Sequence, residues 1–188
     1  SSLKMRKVLN DQFDKWLNEV TPDEKQGVVT YTGSAYTDMN RHLRGIETTT
    51  SRYTLQAIKD CKAALNKAHT DEAIVVGRGS YGDSLAGMLG VRDPGDVQWF
   101  VDNKEKLIGG LAQDKGFLST TPYEGGGFSG EVIYRINVPK GAHGVYVDSI
   151  SLHQGEKEFL LQAGSKFRVV DIQKSGSYEI EVFLDMLK

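Results

Sequence analysis

The strongest constraint on the fold is a change of period partway along the chain. Up to about residue 70 apolar side chains recur every three or four positions, the spacing of one helix face. From residue 73 they fall instead into short runs rich in Val, Ile, Phe and Tyr, cut by Gly, Pro and Ser, as strands joined by tight turns require. Helices first and strands after predict an α+β fold, with an N-terminal helical layer packed on a two-sheet, mainly antiparallel β-sandwich.

Four helices are legible. Leu3, Val8, Phe13, Trp16, Leu17 and Val20 form one stripe. "TPDE" then opens a second helix, with Thr21 as cap, Pro22 at the first turn and Glu24 completing a capping box. A third fits "SAYTDMNRHLRG", capped by Ser34 and stopped near Gly45, and a fourth fits "SRYTLQAIKDCKAALNKAH", with Leu55, Ile58, Cys61 and Leu65 inward. Strands are expected at "AIVV", "GFLSTT", "EVIYRINVP", "GVYVDSI", "KEFLLQ", "KFRVVDIQ" and "YEIEVFLDM". The Gly-rich interval 80–114 has room for a helix or two, one of them in "VQWFVDNKEKLIGGLAQ". At 188 residues the whole, 1–188, is read as one domain, helical over 1–70 and β-rich over 73–188.

Bulk properties remove several function classes. A net charge of −2 and no basic, aromatic stripe argue against nucleic acid as the partner. One cysteine, Cys61, permits no internal disulfide, and His42, His69, His143 and His153 lack ligand spacing, so no metal is implied. No run approaches the ~20 apolar residues of a membrane span, and "SSLKMRKVLNDQF" lacks the apolar block of a secretory signal.

"AIVVGRGSYG" (73–82) has the strand and G-x-G-x-x-G spacing of a dinucleotide loop. A Rossmann unit then needs a long helix and a further parallel strand. Here Gly87, Gly90, Pro94 and Gly95 interrupt the helix, and antiparallel-type strands follow. Attention passes to Arg78, whose forked guanidinium suits a phosphate or carboxylate. Two other stretches stand beside it: Ser-Thr-Thr at 119–121, and Glu156 with Glu158 at the start of a strand, where residues two apart point to one side. Each alone has an ordinary explanation as a surface ion pair, strand composition or a solvated edge.

Their order carries the information. Arg, then Ser-Thr-Thr, then Glu-x-Glu, preceded by an Asn-x-x-x-Arg helix, resembles the mono-ADP-ribosyltransferase toxins, particularly the binary actin-modifying toxins and the C3-like exoenzymes, from about Tyr31 to the C-terminus. The most specific stretch is "VPKGAHGVYVDSISLHQGEKEFLL". The resemblance implies that Asn40, Arg44, Arg78, Gly79, Thr120 and Phe128 meet NAD, which is a substrate. It implies that Ser119 orients the catalytic Glu158, and that Leu152 and His153 read the protein target. Members with Glu-x-Glu typically modify arginine and those with Gln-x-Glu asparagine, so Glu156 predicts an arginine acceptor on a host protein. A secreted effector acting in the host cytosol follows, with a translocation partner if the chain belongs to a longer toxin. NAD hydrolysis and a non-catalytic binding module of the same fold are the alternatives.

Three positions depart from the family pattern. Gly77 stands where a bulky residue usually precedes the Arg, Glu131 where a basic residue often follows the aromatic Phe128, and His153 where the target-reading residue is often aromatic.

Overall fold

The computed structural model describes residues 2–188. Four helices open the chain: α1 (Ser2–Glu19), α2 (Pro22–Thr30), α3 (Tyr36–Leu43) and α4 (Arg52–Asn66). The capping box read from "TPDE" is present, with Thr21 Oγ1 accepting from the Glu24 amide and Glu24 Oε1 accepting from the Thr21 amide. Ser34 is not a cap. α2 runs on through a π-helical turn, Tyr31–Ala35, kinked at Gly33, and α3 begins after Ala35 with no side-chain cap. On α4 the inward residues are Thr54, Ala57, Ile58, Cys61, Ala64 and Leu65. Leu55 lies one position off that stripe and is exposed, as is Leu3 on α1.

Strand β1 (Ile74–Ser80) is followed by α5 (Gly82–Leu89), α6 (Gln98–Asp102) and α7 (Lys104–Leu107). The helix expected through residue 113 ends early. Gly109, at φ 85°, turns the chain into β2 (Leu111–Gln113), a strand that the periodicity did not reveal. There follow β3 (Leu118–Pro122), β4 (Val132–Val138), β5 (Gly144–Tyr146), a 3₁₀ turn at Asp148–Ile150, β6 (Phe159–Leu161), β7 (Lys166–Gly176) and β8 (Glu179–Met186).

The strands form one connected ladder, β2-β7-β8-β4-β1-β3-β6-β5, antiparallel except where β4 runs parallel to β8. The two expected sheets are joined through β3. Its first residues, Leu118 to Thr120, pair with β6, and its last, Thr121 and Pro122, pair with β1. With β1 flanked by antiparallel partners on both sides, a Rossmann unit is excluded.

Burial follows the same division. One apolar cluster joins Val76, Leu85, Phe100, Ile136, Phe167 and Val182 on the long strands and α5–α6. The other packs the N-terminal helices onto β5 and β6 through Trp16, Val28, Met39, Cys61, Leu65 and Leu160. Trp16 is almost wholly enclosed, and its indole N–H is satisfied by the Ala64 carbonyl, so its apolar surface is buried without leaving a polar group unpaired. β3 passes between the clusters, with Leu118 in one and neighbouring Phe117 in the other.

Candidate active site

Two adjoining cavities, of about 530 and 350 Å³, share Arg44, Ile46 and Arg78 in their walls. The larger also holds Tyr31, Asn40, Ser119, His153, Glu156 and Glu158. The smaller runs on to Ser80, Asp83, Asp114, Lys115 and Tyr134. Together they form a two-lobed cleft with two guanidinium groups at its waist.

Each group comes from a different element. Arg78 leaves β1 on the side opposite its neighbours Gly77 and Gly79, and its Nη1 donates to the Ser119 carbonyl at 3.0 Å. Arg44 closes α3 one helical turn beyond Asn40 and is held in a two-pronged ion pair by Asp114, with Nε to Oδ1 and Nη2 to Oδ2 both at 2.9 Å. Burial opposes the charge on Arg44, but Asp114 more than offsets it and holds the guanidinium protonated. Asp114 also accepts the Gly116 amide through Oδ1. Asn40 is saturated by protein partners: Nδ2 donates to Tyr31 Oη and the Phe117 carbonyl, while Oδ1 accepts the Phe117 amide. A side chain at Gly116 would collide with Asn40 Oδ1 and Arg44 Nε, so glycine there lets α3 approach the start of β3.

The two glutamates differ in setting. Glu158 is buried, at 8% exposure, whereas Glu156 stands exposed at the cleft mouth. Burial pushes the Glu158 carboxyl above the usual carboxylate range; a hydrogen bond from Ser119 and the charge of Arg78 draw it down, and Glu156 and Asp148 add to the rise. Residues 156–158 precede β6, so strand alternation does not bring the pair together. Lys157 adopts φ 55°, a left-handed conformation that costs a residue with a side chain about 1–2 kcal/mol, and both carboxylates nonetheless line one cavity. The Lys157 side chain goes elsewhere, into a small crevice with Met5, Arg6, Leu9 and Tyr146.

Several expected contacts are placed otherwise. Thr120, one residue on from Ser119, is buried with its hydroxyl donating to the Phe159 carbonyl, because alternation along β3 turns it away from the Ser119 lobe. Phe128 is absent from both cavity walls. Its ring covers Gly77, where an added Cβ would meet its Cζ at 2.5 Å, and stacks on Tyr123. That packing explains why no bulky residue stands at 77. At Gly79 a Cβ would lie 1.7 Å from the Ser129 carbonyl oxygen, so the close approach this glycine permits is to the chain's own 128–130 segment. Glu131 accepts the Gly82 amide at the start of α5, where a carboxylate is favoured and a basic residue is not. Leu152 is exposed, with its amide held by Thr32 Oγ1, and His153 lines the larger lobe.

A helical layer on this strand order, with such a cleft at the seam, defines a class, the mono-ADP-ribosyltransferase toxins. The profile of the ADP-ribosyltransferase exoenzyme family matches residues 8–187, and the chain belongs to that family. It is 28% identical over 164 residues to the NAD(+)--arginine ADP-ribosyltransferase EFV of Enterococcus faecalis, covering 86% of this chain and 31% of that protein. The chain thus spans about a third of that relative's length. It is 27% identical over 177 residues to the Mono-ADP-ribosyltransferase C3 of Clostridium botulinum D phage, covering 89% of this chain and 69% of that one. Among solved structures, Plx2a, an ADP-ribosyltransferase toxin from Paenibacillus larvae, is similar with a TM-score of 0.83 at 25% identity, covering 98% of this chain and 96% of that one.

Proposed function

We propose that residues 1–188 are one catalytic domain that transfers ADP-ribose from NAD to an arginine of a host protein and releases nicotinamide. The observation that carries this reading is the pairing of a buried Glu158, facing Ser119 and Arg78, with an exposed Glu156 at the mouth of the same cleft.

In this reading the anionic diphosphate lies at the waist against Arg44 and Arg78, the adenosine half extends into the smaller lobe, and the nicotinamide ribose enters the larger one. The bond between the ribose C1′ and the nicotinamide nitrogen breaks with its electron pair going to the departing ring, which leaves neutral. Positive charge grows on the ribose, and Glu158 stabilises it as an adjacent carboxylate does in glycoside cleavage. A guanidine nitrogen of the acceptor then bonds to C1′, and its proton passes to Glu156 and on to solvent. Ser119 holds the Glu158 carboxylate. Asn40, saturated by Phe117 and Tyr31, acts by fixing α3 and with it Arg44. Leu152 and His153, at the rim beside Glu156, present the face that a target protein would meet. The Enterococcus relative's name as an arginine transferase supports the acceptor, and secretion with action in the host cytosol completes the proposal.

The test is transfer from labelled NAD into a eukaryotic lysate, with hydroxylamine release to diagnose an arginine linkage. A labelled, hydroxylamine-sensitive band lost in Glu158→Gln supports the reading. Glu158-dependent consumption of NAD without a band makes the protein a hydrolase, and neither activity makes it a binding module.

Asp114 gives a separate prediction. Asp114→Ala removes the two-pronged partner of Arg44, and the KM for NAD is expected to rise roughly tenfold, about the worth of one charge-assisted hydrogen bond once the partial exposure of Arg44 is allowed for. The kcat changes less, because the bond-breaking groups are untouched. Steady-state NAD consumption checks this, and an unchanged KM contradicts a role for Arg44 in holding the dinucleotide.

A further inference from the structure

The loop that delivers both glutamates, residues 147–158, connects β5 to β6 and is closed at its neck by the Val147 amide donating to the Glu158 carbonyl at 3.0 Å. Among the described residues Lys157 alone, other than glycines, has positive φ. Such a conformation persists where its surroundings hold it. Here the holding group is one atom. Asp148 Oδ1 accepts the amides of Gly155 and of Lys157, each at 3.0 Å, and so clasps the chain on either side of Glu156. Asp148 sits at the start of the 3₁₀ turn, whose backbone is itself fixed by the Ser151 amide donating to the Asp148 carbonyl.

We propose that Asp148 is the positioning residue for the Glu156 and Glu158 pair: by clasping the Gly155 and Lys157 amides it maintains the left-handed turn that aims both carboxylates into one cleft. The proposal rests on the reading of Glu158 as the group beside the reacting ribose. Asp148 touches no substrate in this account. It acts through the backbone, and replaces the strand geometry that would otherwise have set the two side chains side by side.

The experiment compares Asp148→Ala and Asp148→Asn in the full chain, measuring NAD turnover with the small guanidine agmatine as acceptor, together with amide hydrogen exchange at residues 155 and 157. Loss of the clasp in Asp148→Ala is expected to lower kcat roughly ten- to hundredfold while the KM for NAD stays within about twofold, because the carboxylates are misdirected and the arginines are not. Asp148→Asn keeps a carbonyl oxygen able to accept both amides, and is expected to restore kcat to within about threefold of the parent. Exchange at both amides should accelerate in the Ala variant and not in the Asn variant. The proposal is overturned by a full kcat in Asp148→Ala, by an Asn variant as slow as Ala, or by unchanged exchange protection. Should Glu158→Gln turn over like the parent, the reading of the catalytic pair fails, and exchange protection alone decides whether the clasp exists.

Discussion

Glu158→Gln is expected to lower kcat for both ADP-ribose transfer and NAD hydrolysis by roughly 10²–10³-fold, the loss typical when one preorganised charge facing a developing opposite charge is removed. Gln keeps the shape and can still meet Ser119, but it carries no charge to set against the ribose cation. The KM for NAD should change little, because Arg44 and Arg78 hold the diphosphate from other elements. Steady-state kinetics with and without a protein acceptor separate the two. A rise in KM with an unchanged kcat would reassign Glu158 to ground-state binding.

The same residue sets a pH dependence. Burial first, then Glu156 and Asp148, hold its carboxyl above the usual range, against the pull of Ser119 and Arg78. If the ionised form does the chemistry, activity falls as pH drops through that raised value, so the acid limb of kcat lies at higher pH than an exposed glutamate would give. Stability runs the other way. A carboxyl whose folded value exceeds its unfolded one binds more protons in the folded state between the two values. Its contribution is therefore destabilising above the folded value and vanishes below the unfolded one. Glu158→Gln removes that penalty, and its Tm near neutral pH should equal or exceed that of the parent while activity is lost. A stabilised, inactive variant distinguishes a functional buried charge from a structural one.

What the sequence disclosed was local. The Thr21–Glu24 box is complete within four residues, and Arg78, Ser119 and Glu158 each lie at or beside a strand whose apolar run is unmistakable. What it concealed depended on contacts between distant segments. Asp114 meets Arg44 across 70 positions, and only the small "DKG" turn, in which Asp114 accepts the Gly116 amide, hinted at a fixed carboxylate there. The glycines flanking Arg78 looked like room for a ligand and proved to be room for Phe128 and the Ser129 backbone, a crossing that no spacing rule encodes. Thr120 shows the reverse case. The alternation that turns it from the Ser119 lobe was readable from β3, but the family's Ser-Thr pattern outweighed it. The convergence of Glu156 and Glu158 was anticipated for a reason that does not hold, since a left-handed Lys157 clasped by Asp148 achieves it, not an extended strand.

Glu156→Gln is expected to divide the two activities. An arginine side chain stays protonated near neutral pH, and a guanidinium cannot attack C1′ until a proton leaves it. Glu156, exposed at the mouth beside His153, can hold the incoming guanidinium by paired hydrogen bonds and accept that proton. Gln keeps part of the first role and none of the second, so transfer to arginine should fall by roughly 10²–10³-fold, the usual worth of a positioned base. Water needs neither form of help, and the buried Glu158 that assists bond cleavage remains. NAD hydrolysis should therefore persist. A second signature follows from the charge: Glu156 contributes to the elevation of Glu158, so its neutralisation lets that carboxyl fall, and the acid limb of the residual hydrolysis moves to lower pH. Loss of both activities together would instead place Glu156 in the cleavage step. Retention of both would mean that the acceptor is not a guanidinium, since no other acceptor class here calls for a second carboxylate at the mouth of the cleft.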